Sequence, residues 1–400
     1  MTGIRRTVAV AGLLLALPLS IVASSTALAA TPTAVASSPT AGPAASATVP
    51  TGVHVELPRP TGPYAVGRDI LQLVDQDRPD PWVPSAGPRQ LMVSMYYPAD
   101  PGTGGPAPYM TPEAARLMLD GKLPGNTVPT DAVTSVGTWS RTDARPEPGR
   151  FPLVLLSPGF TMPRTELTSL AEDLASRGYV VALVDHTYEN TGTTFPDGQT
   201  LTCAICDTWP PGGPAVIDAS RATDMSFVID QLTAHPHPAW RYSRMIDARR
   251  IGMAGHSIGG SAAVPSLATD DRIRAGVNLD GTMDYAVPTG GLGGKPFMMI
   301  GHPLGAGVED PTWTDAWAKL NGWKRWLTFA GSNHGTFTDD QLLLNDFGYP
   351  NPPGTTMPAE RGIELTREYV AAFFDLQLKG IPQPILDGPT AQNPEVSFHP

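Results

Sequence analysis

Gly255-His256-Ser257-Ile258-Gly259 constrains this chain more than any other stretch. Before it runs Arg250-Ile251-Gly252-Met253-Ala254, short and apolar; after it runs Gly260-Ser261-Ala262-Ala263, all small. The first reads as a buried strand and the second as the start of a closely packed helix. A serine at the tip of so sharp a turn must take a strained backbone conformation, and bulky neighbours would clash there. The bare spacing is common by chance. Between a strand and a helix it predicts a serine hydroxyl presented at a strand's carboxyl end.

The remaining punctuation agrees with that turn. Strands are expected at Gln90 to Tyr97, Leu153 to Ser157, Tyr179 to Val184, Arg250 to Ala254, Ile273 to Leu279, Pro296 to Ile300 and Trp326 to Phe329. Helical spacing lies at Met110 to Leu119, Glu166 to Ser176, Ala215 to Leu232, Trp313 to Leu320 and Glu360 to Leu378. Thr111-Pro112 gives the first of these a capped, proline-led start. Strands alternating with helices predict an α/β fold, a mostly parallel central sheet with helices on both faces. Such sheets bind ligands at the carboxyl ends of their strands.

The N-terminus reads differently. Arg5 and Arg6 precede an apolar run from Val8 to Val22, and Ala27-Leu28-Ala29 supplies an A-x-A cleavage site. Residues 1–29 are expected to be a signal peptide, too short and wrongly flanked for a membrane span, with the export route left open. Residues 30–50, rich in Ala, Thr, Pro and Ser and without charge, read as a disordered linker, and residues 51–400 as a single catalytic domain. The product would be extracellular. The formal net charge is −11, and removing a leader that carries two arginines makes the chain more acidic still. That balance argues against nucleic acid or anionic membrane surfaces as partners. Cys203 and Cys206 are the only cysteines. In an exported chain they read most simply as a local disulfide; a zinc site would need more ligands.

A serine hydroxyl needs a base, and the base needs an orienting acid. In α/β-hydrolases the chain order is Ser, Asp or Glu, His. His334, in Gly331-Ser332-Asn333-His334-Gly335 after the last long strand, is the expected base for Ser257, with His302 as its competitor. Asp280, ending Asn278-Leu279-Asp280-Gly281, is the expected acid; Glu309 or Asp310 after the next strand is the alternative. Backbone amides of Ile258 and Phe160 are the expected oxyanion donors, since Pro158 has no N–H and Gly159 permits an unusual turn. Met162, Tyr188, Trp209, Met283 and Trp313 fall near strand ends and are candidate substrate contacts, each equally readable as core or rim packing.

These marks together resemble the α/β-hydrolases related to secreted platelet-activating factor acetylhydrolase and their actinobacterial lipase and esterase relatives. The resemblance rests on Gly255-His256-Ser257-Ile258-Gly259-Gly260, on Asn278-Leu279-Asp280-Gly281 and on Gly331-Ser332-Asn333-His334 with Phe337 behind it, and covers Tyr64 to the C-terminus. It implies a serine esterase or lipase acting on small-molecule or lipid esters of short or medium acyl chains, acetyl-phospholipids among them. It favours Asp280 over the later acids, and implies no metal and no organic cofactor; the sequence leaves the oligomeric state open, with a monomer as the expectation. Ser157-Pro158-Gly159-Phe160 departs from the His-Gly that many relatives carry at the oxyanion loop. Polyester hydrolysis of the cutinase kind and acyl transfer are the competing activities. A protein of this fold that only binds partners would be expected to have lost a member of the triad.

Overall fold

The computed structural model describes residues 55–123, 125–305 and 308–400; the expected leader (1–29) and linker (30–50) lie outside them. Among the described residues, eleven strands form one sheet. Across it lie Gly105–Pro106, Ser140–Thr142, β1 (Ala65–Pro79), β2 (Pro88–Ala99), Val180–His186, Phe151–Ser157, Ile246–His256, Ile273–Leu279, Phe297–Gly301, Lys324–Phe329 and Val396–Phe398. The six from Val180–His186 to Lys324–Phe329 run parallel. β1 and β2 pair antiparallel, and so do β2 with Val180–His186 and the last strand with Lys324–Phe329.

The period of two in the strands divides the core between the two faces. Leu153 and Leu155 point to a cluster with Met225, Val228, Ile229 and Leu232 of the helix Pro214–Thr233. Val154 and Leu156 point the other way, to Leu170 and Leu174 of Thr168–Ser176 and to Phe373 and Phe374 of Ala359–Lys379. Burying both faces explains why these strands read as continuous apolar runs rather than alternating ones. A third cluster lies apart from the sheet. It joins α1 (Pro112–Lys122) to the short helix Asp340–Asp346 through Ala115, Leu119, Leu342, Leu343 and Phe347. This is the α/β-hydrolase architecture, and the loops leaving the strands' carboxyl ends carry the candidate residues. Among the described residues no helix is long and apolar enough to cross a membrane.

Candidate active site

The strand Ile246–His256 ends at His256 and a helix begins at Ile258, with Ser257 alone between them. Its φ of 54° and ψ of −125° put it outside the regions L-residues normally occupy. The flanking glycines are required by space. A Cβ on Gly255 would lie 2.3 Å from Gly259 backbone, and one on Gly259 would lie 2.1 Å from the Ser157 carbonyl oxygen. The Ser257 amide donates to the Leu279 carbonyl at 2.8 Å, which ties the turn to the neighbouring strand. Among the described residues, only five other than glycine have positive φ, and three of them are Thr161, Ser257 and Asp280. Strain on this scale persists only where the surroundings over-determine it.

Asp280 leaves the strand Ile273–Leu279 with its amide on the Ile300 carbonyl at 2.8 Å. Its Oδ2 accepts the His334 Nδ1 proton at 2.6 Å. His302, after the strand Phe297–Gly301, takes the other side: its ring Nδ1 lies 2.8 and 2.7 Å from the two carboxylate oxygens, and its amide donates to Oδ1 at 2.8 Å. Burial alone would raise this carboxyl, but the hydrogen bonds from His302 and His334 outweigh it and hold Asp280 below its ordinary range. The His302 ring is pushed up by its bond to Asp280. One carboxylate thus orients two histidines. His334 borders a cavity with Ser257 and also a second one, with Asp280 and His302; His302 does not reach the first. Glu309 and Asp310 do not reach His334: Asp310 caps the helix Pro311–Lys319 through Thr312, and Glu309 lies 3.5 Å from His399.

The cavity beside Ser257 measures about 300 Å³. Its wall is mainly apolar, with Leu119 of α1 and Leu123 just after it, Leu343 and Phe347 opposite, and Met162 and Phe160 at the strand ends. Ser257 Oγ makes no hydrogen bond to a described residue. Neither the Ile258 nor the Phe160 amide donates to a described acceptor, so both donors are free to meet a ligand's oxygen. Phe160 stacks on the exposed Trp209 at 4.9 Å between ring centres. The Cys203–Cys206 disulfide pins the chain three residues before Trp209, and Cys203 and Ile205 pack with Phe160 and Ile258. Of the other candidate contacts, Met162 lines the cavity, while Tyr188 is half-buried beyond it. Met283 is in the core, and Trp313 is fixed by an Nε1–H bond to the Gly281 carbonyl at 2.7 Å; neither lines this cavity.

His256, the variable residue inside the elbow, packs against His334 at 4.6 Å between ring centres and donates from Nε2 to the His334 carbonyl at 2.8 Å. Burial would lower its pKa, but Glu166, 3.4 Å from Nδ1, raises it above the usual value. Glu166 also accepts the Gly159 amide, so one carboxylate holds the elbow and the oxyanion loop together.

Beneath that loop lies a network the sequence did not disclose. Ser157 Oγ is 3.0 Å from His186 Nε2, and His186 Nδ1 is 2.8 Å from Asp224 Oδ2. This is a second Ser–His–Asp relay, but all three side chains are fully or almost fully buried. Arg221 covers Ser157 Oγ at 3.2 Å, donates to the Pro158 carbonyl and pairs with Glu189 at 2.7 Å. Burial and the Arg221 charge both lower the His186 pKa, outweighing its carboxylate partner. Among the described residues, two groups bring three metal-ligand atoms within 4.8 Å of one another: Asp280, His302 and His334, and His186, Glu189 and Asp224. The second faces Arg89 and Arg221, whose charges oppose a cation there.

A model of the family described as platelet-activating factor acetylhydrolase, isoform II, matches residues 51–200, ending before Ser257. Over 375 residues the chain is 30% identical to a probable 1-alkyl-2-acetylglycerophosphocholine esterase of Arthroderma benhamiae, covering 86% of this chain and 93% of that protein. It is 28% identical over 131 residues, 33% of each chain, to a bis(hydroxyethyl) terephthalate hydrolase of Streptomyces coelicolor. Among solved structures, a ferulic acid esterase from Streptomyces cinnamoneus superposes with a TM-score of 0.78 at 43% identity, over 86% of this chain and 99% of that one.

Proposed function

This chain belongs to the platelet-activating factor acetylhydrolase, isoform II, family and is a carboxylic ester hydrolase, and on that premise we propose that it is an exported serine esterase using Ser257, His334 and Asp280. The observation that carries this reading is the 2.6 Å bond between His334 and Asp280 beside a cavity that Ser257 shares. Ser257 Oγ attacks the ester carbonyl as His334 Nε2 takes its proton, and Asp280 stabilises the imidazolium. The Phe160 and Ile258 amides hold the oxyanion. His334 then protonates the departing alcohol and activates the water that releases the acid.

The acyl group occupies the cavity of about 300 Å³, whose apolar wall suits short and medium chains, with acetyl-phospholipids among the substrates. A second reading is favoured by the 43% identity to a ferulic acid esterase, since Phe160 and Met162 can pack on an aromatic acyl group. The catalytic domain spans residues 51–400, and export removes residues 1–29, so the secreted protein should begin at Ala30 by intact mass.

The deciding experiment compares p-nitrophenyl esters from acetyl to palmitoyl with an acetyl-phospholipid and methyl ferulate, on wild type and Ser257→Ala. We expect the variant to lose about 10⁴-fold or more in kcat with its thermal unfolding unchanged. Retained turnover sinks the nucleophile assignment, and the ester ranking chooses between the acyl classes.

A further inference from the structure

Arg68 lies on β1 with 6% of its surface exposed, and its guanidinium meets no acceptor and no carboxylate among the described residues. A buried cation without a counter-charge is costly. Other deeply buried arginines avoid that cost: Arg89 and Arg221 pair with carboxylates, and Arg367 reaches the Pro58 and Arg59 carbonyls.

Arg68 borders a cavity of about 410 Å³ beside the exposed Ile70, lined by none of Ser257, Asp280 or His334. The other charged groups in its wall are Arg164 and Asp185, which form an ion pair with each other. One positive charge is left over, that of Arg68. The first turn of α1, at Thr111 and Ala114, adds the positive end of its dipole. The rest of the wall is largely apolar, with Met92, Tyr109 and Phe195. The volume falls in the range of small-molecule sites, about 300–1,000 Å³.

We propose that this cavity binds an amphipathic carboxylate, its two oxygens on the Arg68 fork and its apolar body against Met92, Tyr109 and Phe195. The proposal does not rest on the esterase reading, because the site shares no residue with it.

The test uses the whole protein after treatment with a reactive organophosphonate, intact mass reporting whether Ser257 is blocked. Octanoate, octanamide and inorganic phosphate are then titrated by calorimetry. Octanoate should bind once per chain, and octanamide and phosphate at least about tenfold more weakly. Arg68→Met, which keeps the apolar stem, should lose octanoate binding and unfold at a higher temperature than ligand-free wild type. Arg68→Lys, a point charge without the fork, should fall between them. Equal binding of octanoate and octanamide by wild type overturns the proposal without any variant. So does an absence of octanoate binding, or undiminished binding by Arg68→Met. Failure of the phosphonate to label Ser257 appears in the mass spectrum alone and bears on the esterase reading instead.

Discussion

Phe160 is set by its neighbours on both sides. The Pro158 carbonyl before it is held by Arg221, the Thr161 amide after it donates to the Glu189 carbonyl at 2.9 Å, and Arg221 and Glu189 are themselves paired. The direction of the Phe160 N–H is therefore fixed by a buried ion pair that never touches substrate. Arg221→Lys keeps the charge opposite Glu189 but loses the fork. A lost oxyanion donor costs about 3 kcal/mol of transition-state stabilisation. We expect kcat on p-nitrophenyl acetate to fall by up to about 100-fold with KM nearly unchanged; a loss confined to KM would mean that Arg221 shapes binding instead. The twin relay at Ser157 makes the complementary point. Ser157, His186 and Asp224 have triad distances, yet Ser257 stands at a cavity and Ser157 does not. Ser157→Ala should retain activity within about tenfold of wild type, where Ser257→Ala loses it; comparable losses would show that burial does not keep Ser157 out of the chemistry. Sequence could not show the twin, because burial is a property of the fold rather than of spacing.

At the level of elements, the parallel strands were legible to within a few residues because burial on both faces makes each one a continuous apolar run. β1 was not. Arg68, Asp69, Gln72 and Asp75 interrupt it, and its apolar positions are only partly covered, so fifteen residues of strand show no strand pattern in the sequence. The helix Asp340–Asp346 was missed for another reason: at seven residues it is too short for a helical period to stand out. Yet it supplies the cavity wall opposite α1, through Leu343 and Leu344. Acyl preference was therefore illegible while the elbow was plain, since one depends on local turn chemistry and the other on two distant helices meeting. Leu344→Trp should fill the cavity. Specificity on p-nitrophenyl octanoate should fall by more than about tenfold, while the acetyl ester stays within about threefold. If both esters fall together, the cavity is not the acyl site.

Across the whole molecule, acidity is carried inward as well as on the surface. Asp339 and Asp218 are fully buried, and burial pushes each up to about 8 despite hydrogen bonds from Ser169 and Ser261. An unfolded aspartate releases its proton near about 3.9. Between that pH and about 8 the folded chain therefore binds more protons than the unfolded one, and rising pH removes stability. Asp280 acts in the opposite sense. His302 and His334 hold it low against burial, so its contribution is present above the unfolded value and is lost as pH falls through the lowered folded one. Together the three make their joint contribution largest near the unfolded aspartate value, where Asp280 is still ionised and the buried pair has only begun to lose its advantage. Asp339→Asn mimics the protonated form at every pH. Its unfolding temperature should match wild type near about pH 4, and its advantage should widen steadily towards pH 8. A constant offset, or a wild type that gains over the variant as pH rises, would mean that Asp339 is ionised and paired in the folded chain, and that burial does not set the pH range of this protein.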